Sequence, residues 1–262
     1  MTTLPLRTGG AGAAAAGSGR SPVPRPDERI ARFIAEALGD ARTVLYVGAG
    51  AGSYESAARA VTAVDASESM RARRPVRLAR AIDAVAEELP FADGEFDASM
   101  TLFSVHQWSD VRAGLREMRR VTRGPVAVLS CDPDLVREFW LYRYAPEVLD
   151  TEALRHPTVE ELASALGGSG TVRTVPVPPD CTDGFNEAYY GRPELLLDPA
   201  ARQACSAWSF VDDGVRERFD RSLRRVWNRA PGTRSSATCA PCRRTRDPSS
   251  SYARPPDAPP NR

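Results

Sequence analysis

A chain of 262 residues, 42% of them hydrophobic, is long enough for one α/β domain with appendages. Its 35 basic and 34 acidic residues leave a net charge of +1, which offers no electrostatic footprint for RNA or DNA and predicts no nucleic-acid partner. The five cysteines, Cys131, Cys181, Cys205, Cys239 and Cys242, are odd in number and scattered, so they suggest no disulfide framework and point to a reducing cytoplasm; no apolar run reaches the length of a membrane span.

Residues 1–25 are rich in Gly, Ala, Ser and Pro and lack the apolar content to order themselves; they read as a disordered tail, with no basic leader or Leu/Val core for a cleaved signal. A helix should begin near Pro26-Asp27, because Ile30, Phe33, Ile34, Ala37 and Leu38 recur at helical spacing and Gly39 stands at the cap. Thr43-Val44-Leu45-Tyr46-Val47 is β-branched and apolar, as expected of a strand buried on both faces. Gly48, Gly50 and Gly52 follow, alternating with Ala49 and Ala51. Glycines in that position permit a tight turn and close approach of backbone to a ligand. A helix is predicted over 53–60, with its first amides facing that turn. The next strand, Ala60 to Val64, runs into Asp65, 17 residues after Gly48, where a carboxylate can accept both hydroxyls of a ribose.

The G-A-G-A-G turn, the Val64-Asp65-Ala66-Ser67 strand end and the later Leu89-Pro90-Phe91-Ala92-Asp93-Gly94-Glu95-Phe96-Asp97 together resemble the class I S-adenosylmethionine-dependent methyltransferases, in particular the small-molecule group called type 11. The resemblance covers residues 43–131, about a third of the chain. It implies a Rossmann-like, doubly wound, mostly parallel α/β sheet, S-adenosyl-L-methionine as cofactor, and methyl transfer to a small-molecule acceptor. It also implies a set of cofactor contacts: Tyr46, Gly48, Ala49, Gly50, Gly52, Asp65, Ala66, Ala86, Glu87 and Thr101. Two positions depart from the family pattern. Tyr46 replaces an acidic residue that helps place the methionine end, and Val85 replaces an aspartate that holds the adenine amine, so backbone contacts from Val85, Ala86 and Glu87 are expected at the ring. Two other readings follow from the same residues. A nicotinamide-dependent oxidoreductase is opposed by Ser53 where its third glycine would fall and by the lack of a Tyr-x-x-x-Lys pair after the fourth strand. A catalytically impaired, cofactor-binding homologue is suggested by Tyr46, Val85 and the lack of a segment for the family's last strand.

Past Asp65, a helix is predicted over 67–73, a third strand near 76–84, and a fourth strand, Phe96 to Phe103, ending at the ligand face of the sheet. His106 comes directly after it. It is the titratable group near the cofactor mouth that could change charge near neutral pH, and so the candidate catalytic base; a histidine that merely bonds its own loop is the alternative. Trp108 reads as packing for the next helix, Val111 to Val121, whose arginines read as solvated. The fifth strand, Val126 to Ser130, runs into Cys131-Asp132-Pro133, where Asp132 either holds an acceptor or caps a helix. Leu135, Phe139, Trp140, Tyr142 and Tyr144 suit an apolar pocket wall or plain packing. Thr158 and Glu161 make a capping box, Gly167-Gly168 ends that helix, and Thr171 to Val177 reads as a sixth strand. Several helices follow over 183–226.

From Arg229 to Arg262 there is no Val, Ile, Leu, Phe or Met, so disorder is expected. The abrupt change after Trp227-Asn228-Arg229 suggests a shifted reading frame or loss of the terminal antiparallel strand of the family; a natural disordered tail is the alternative. Cys239-Ala240-Pro241-Cys242 has metal-type spacing but no second ligand pair, and no metal is expected. The chain therefore divides into a tail (1–25), the cofactor domain (26–177), a helical acceptor or lid region (178–228) and a second tail (229–262).

Overall fold

The structure, a computed structural model, describes residues 24–168 and 170–228. The tail beyond Asn228, with Cys239 and Cys242, and most of the first tail lie outside those residues.

Asp27 caps α1 (Glu28–Leu38), its side chain accepting from the Arg29 N–H at 2.9 Å, and Gly39 ends the helix at φ +56°. Ile30, Ile34 and Leu38 form the buried stripe that the spacing predicts. The sheet contains β1 (Thr43–Val47), β2 (Ala60–Val64), β3 (Ala98–Leu102) and β4 (Val126–Leu129), all parallel, in the order β2-β1-β3-β4. α2 (Glu68–Arg71) follows β2, and α3 (Val111–Arg120), capped by Asp110, crosses from β3 to β4. Two apolar layers sandwich the sheet. On one face Leu45, Val47, Leu115, Met118 and Val121 pack under α3; on the other, Val44, Tyr46, Met100 and Leu102 pack against α1 and a large helical region.

That region starts after β4. It comprises α4 (Pro146–Arg155), α6 (Pro199–Ala204) and α7 (Asp213–Asn228) with several short 3₁₀ turns, while α5 (Val159–Ala165) lies on the opposite face, where Leu162 packs with α3. α5 carries the reciprocal Thr158–Glu161 capping box. Phe139, Trp140 and Tyr144 are buried in the same core as Trp208, Phe219 and Leu223, so the aromatic group after β4 serves chiefly as packing.

Four expectations are corrected. No helix forms over 53–60. Only 12 residues, 48–59, join β1 to β2, Tyr54 takes a left-handed φ of +66°, and Arg59 extends its guanidinium to the carbonyls of Ala41 (2.9 Å) and Gly39 (2.7 Å) at the end of α1. A helix here would have to forgo both. The third strand over 76–84 shrinks to one bridge, Ile82 to Val64, because 70–78 is drawn into turns over the glycine segment. Thr171 to Val177 forms no ladder; Val172 is exposed, while Val175 and Val177 rest on the core, so β4 is the sheet edge among the described residues. Finally, the arginines of α3 are not all solvated. Arg120 pairs with Glu117 and Asp93, each at 2.7 Å, and donates to the carbonyls of Phe91 and Leu89, which holds the loop before β3 against the helix.

Candidate functional site

The turn after β1 is built from backbone and one carboxylate. Gly48, Gly50 and Gly52 have φ values of +67°, +52° and +88°. Ala49 is buried and donates its N–H to the Val64 carbonyl at 3.0 Å, tying the turn to the end of β2. Asp65, at the tip of β2, is 9% exposed; its Oδ2 accepts from the Gly50 N–H at 2.7 Å and its Oδ1 from the Ser67 N–H at 2.8 Å. Each oxygen has a second lone pair, so this carboxylate fixes the turn and can still accept two hydroxyls. Ala66 lies exposed beside it.

The glycines also admit this chain's own side chains. A Cβ on Gly52 would lie 2.3 Å from Leu78 Cδ1, and one on Gly48 would lie 1.9 Å from Ser104 Oγ. Met70, Arg74 and Leu78 thus lie against the turn. Arg74 forms a 2.7 Å ion pair with Glu55 whose side chains are 4% and 5% exposed, and donates to the Ala79 carbonyl at 2.9 Å. Tyr46, in β1, is buried with the charges of Glu55, Asp183, Arg74 and Asp65 around it; burial above all holds its hydroxyl protonated. It therefore occupies the family's acidic position as a neutral group. Tyr54 donates a short hydrogen bond to Asp183, whose pKa burial raises, and accepts from the Asp27 N–H at 3.3 Å. Asp27 also accepts from Arg29 and from the Thr182 N–H at 3.1 Å, so α1, the glycine turn and 180–184 meet in one polar cluster. The Arg29 guanidinium holds the Asp27 carboxyl far below the usual carboxylate range.

On the other side of Asp65, Ala86 is buried and Val85 is exposed. Glu87 is committed elsewhere: Oε1 accepts from the N–H groups of Ser109 (2.8 Å) and Asp110 (3.0 Å) and from Ser109 Oγ (2.9 Å). Burial raises its pKa, but those donors outweigh it and leave the carboxylate favoured. Glu87 thus holds the entry to α3, and its backbone alone remains for a ring. Thr101, in the middle of β3, is fully buried and its hydroxyl has no partner.

His106 lies past the carboxyl end of β3, beyond Phe103, which adopts φ +50° and stacks on Phe185 at 5.0 Å. Burial, His156 and Arg155 push its pKa down to about 3, so it does not change charge near neutral pH, contrary to the expectation from sequence. Both ring nitrogens are out of solvent and without a partner, and the ring lies 4.3 Å from that of His156. Around it gather residues that the sequence did not single out as a site. His156 Nδ1 is 3.0 Å from Ser130 Oγ; the Cys131 thiol points to Glu152 Oε1 at 3.7 Å; Glu152 Oε2 accepts from Asn186 Nδ2 at 2.8 Å. Glu187, buried beside Glu152, has its pKa raised to about 8 by burial and by that second carboxylate. The one signal present in the sequence was the Glu152–His156 spacing of four, which puts both on one side of a helix end. Nothing local joined them to Cys131 or Glu187. Asp132 accepts from the Asp134 N–H at 3.0 Å, in a turn rather than a helix.

The comparisons with known proteins bear on the domain and the fold. Residues 45–126 match the family described as Methyltransferase domain. Over 70 residues the chain is 41% identical to a demethylmenaquinone methyltransferase of Mycolicibacterium vanbaalenii, and over 60 residues it is 40% identical to the uncharacterised protein YafE of Escherichia coli K12. These matches span 27% and 21% of this chain, and only 31% and 29% of those relatives' length. Among solved structures, a protein of Anabaena variabilis described as a methyltransferase from an antibiotic biosynthesis pathway superposes with a TM-score of 0.72 at 26% identity, covering 79% of this chain and 89% of that one. Among the described residues no helix is long and apolar enough to cross a membrane.

Proposed function

From a chain whose residues 45–126 form a class I S-adenosylmethionine-dependent methyltransferase domain, we propose that the whole protein transfers the methyl group of S-adenosylmethionine to a small molecule bound past the carboxyl ends of β3 and β4. The observation that carries this reading is Asp65: a nearly buried carboxylate that pins the glycine turn with one lone pair on each oxygen and keeps another on each for ribose hydroxyls. The donor set fits the cofactor, with Asp65 for the ribose, the backbone of Gly48 to Gly52 beside the amino-acid end, and Ala86 against the ring.

The cofactor's sulfonium supplies an activated methyl group. What remains for the protein is to align donor and acceptor and to exclude water. Tyr46 offers a neutral hydroxyl, and Tyr54, Asp183 and Asp27 hold α1 and 180–184 together over the turn. At the acceptor end His106 stays neutral, so its lone pair is free to take a hydrogen bond from an acceptor hydroxyl or amine. A small acceptor is supported by the groups past the carboxyl ends of β3 and β4 that are out of solvent and without partners, both ring nitrogens of His106 among them. The likeness to the Anabaena protein continues past residue 126 into the helical region, which favours an acceptor of the specialised-metabolite kind.

The test is turnover. Incubated with methyl-labelled S-adenosylmethionine and a panel of small hydroxyl, amine and thiol compounds, the chain should release S-adenosylhomocysteine only when an acceptor is present. His106→Ala should lower kcat more than it changes cofactor affinity. A folded protein that binds cofactor but labels nothing across a broad panel would support the impaired-homologue reading instead.

A further inference from the structure

Beyond the cofactor turn, the densest group of metal-type donors among the described residues is at the carboxyl end of β4. Cys131 Sγ, a carboxylate oxygen of Glu152 and a ring nitrogen of His156 all lie within 4.8 Å of one another. Cys131 comes two residues after β4, and Glu152 and His156 are one turn apart at the end of α4. We propose that Cys131, Glu152 and His156 form a three-ligand site for one divalent transition metal ion of the zinc class, with a fourth position beside His106.

Three observations favour an ion over a simple buried cluster. The first is donor chemistry and spacing. Thiolate, imidazole and carboxylate are the zinc ligand types, and bond lengths of about 2.0–2.3 Å place tetrahedral donors about 3.3–3.8 Å apart. Cys131 Sγ and Glu152 Oε1 already stand at 3.7 Å, and a rotamer adjustment would bring the nitrogen in from its present limit of 4.8 Å. Second, the supporting groups are in place. Asn186 Nδ2 fixes Glu152 Oε2 at 2.8 Å while its Oδ1 accepts from Trp208 Nε1 at 3.0 Å, and Ser130 Oγ orients the His156 ring at 3.0 Å. Third, the pocket has polar groups that nothing in the chain satisfies. Both nitrogens of His106 and Oε2 of Glu187 are buried without partners. Arg155, the neighbouring cation, is turned to Ser206 Oγ at 3.2 Å and to the face of Phe210 at 4.3 Å. On binding, the ion exchanges waters for sulfur, oxygen and nitrogen, and the thiol proton leaves to solvent. The thiolate, the carboxylate and the dication then sum to zero charge.

None of this depends on methyl transfer, and neither does the test. In the full chain carrying Cys239→Ser and Cys242→Ser, which removes the other closely spaced thiol pair, metal-free protein is titrated with Co²⁺. One equivalent should produce tetrahedral ligand-field bands and a near-ultraviolet thiolate charge-transfer band, both displaced by Zn²⁺. Cys131→Ser should abolish the charge-transfer band with an unchanged circular dichroism spectrum, and Glu152→Gln and His156→Asn should each weaken Zn²⁺ binding by about ten- to a hundred-fold or more. Should a variant fail to fold, the unsubstituted ligand set still decides the matter, since Zn²⁺ must slow alkylation of Cys131 read by mass spectrometry. A folded protein that shows no cobalt spectrum, a band that survives Cys131→Ser, or alkylation indifferent to Zn²⁺ would overturn the proposal.

Discussion

The two ends of this site are built in opposite ways. At the tips of β1 and β2 most polar groups have partners: both oxygens of Asp65 accept backbone N–H groups, Arg74 donates to the Ala79 carbonyl, and Glu55 Oε1, though it accepts no hydrogen bond, is charge-paired with Arg74 at 2.7 Å. At the tips of β3 and β4 several do not. Both ring nitrogens of His106 and Glu187 Oε2 are buried without partners, and Phe103 is held in a left-handed conformation. Unsatisfied buried groups cost free energy, and strain of this kind persists where the surroundings impose it. On the proposed reading, the cofactor end is preorganised by the chain itself, whereas the acceptor end is completed by what it binds.

The comparison breaks most visibly at Arg74. Its ion pair is almost wholly buried, so Arg74→Met leaves Glu55 uncompensated and should cost about 3–5 kcal/mol in urea unfolding, most of it recovered when Glu55→Gln is added. An equal loss in the double variant would show that the pair does not hold the turn. Next comes Gly52→Ala. A residue with a Cβ at φ +88°, 2.3 Å from Leu78, should cost about 1–3 kcal/mol, and Leu78→Ala should restore the part owed to contact but not the part owed to backbone strain.

The acceptor end should reveal itself in the pH dependence of stability. Glu187 titrates near 8 in the folded protein against a reference of 4.5, so the folded state holds a proton that the unfolded state releases. Its contribution is fully present below about 4.5 and is lost as pH rises through 8. The two histidines behave oppositely: their folded values of about 3 and 4 lie below 6.5, so their contribution is lost as pH falls below that value. Above 6.5 the histidines no longer contribute to the slope, and the carboxyls that burial raises, Glu187 foremost with Glu152, Asp183 and Glu194, all act in the same direction. Stability should therefore decline between pH 6.5 and 8 by about 1–2 kcal/mol, and Glu187→Gln should flatten the decline. A profile that rises over that interval in the unsubstituted protein would contradict the burial of Glu187.

Much of this was legible in the amino-acid sequence where the determinants are local. The α1 stripe and its Asp27 and Gly39 caps, the Thr158–Glu161 box and the strand cores of β1 to β4 all follow from periodicity and capping chemistry. Failures came where distant residues overrode local preference. The 53–60 segment has a helix former's composition, but Arg59 caps α1 and Tyr54 bonds Asp183, 129 positions away. Only backbone was expected of Glu87 at the ring, and its side chain is taken up by the amides at the start of α3, a role that its place after a strand does not reveal. His106 looked titratable because sequence shows neither its burial nor His156 beside it. The fold around β2 is leaner than the pattern implied, since 12 residues between β1 and β2 leave little room for a helix once those long-range bonds are made.

The most direct measurement is a calorimetric titration of the purified chain with S-adenosylmethionine, with NADH as control and Asp65→Asn alongside. The account predicts micromolar binding of S-adenosylmethionine, no binding of NADH, and a loss of about 1.5–3 kcal/mol in the variant, because one hydroxyl acceptor and one clamp on the turn are removed together. Binding of NADH alone, or S-adenosylmethionine affinity untouched by Asp65→Asn in a folded protein, would contradict it.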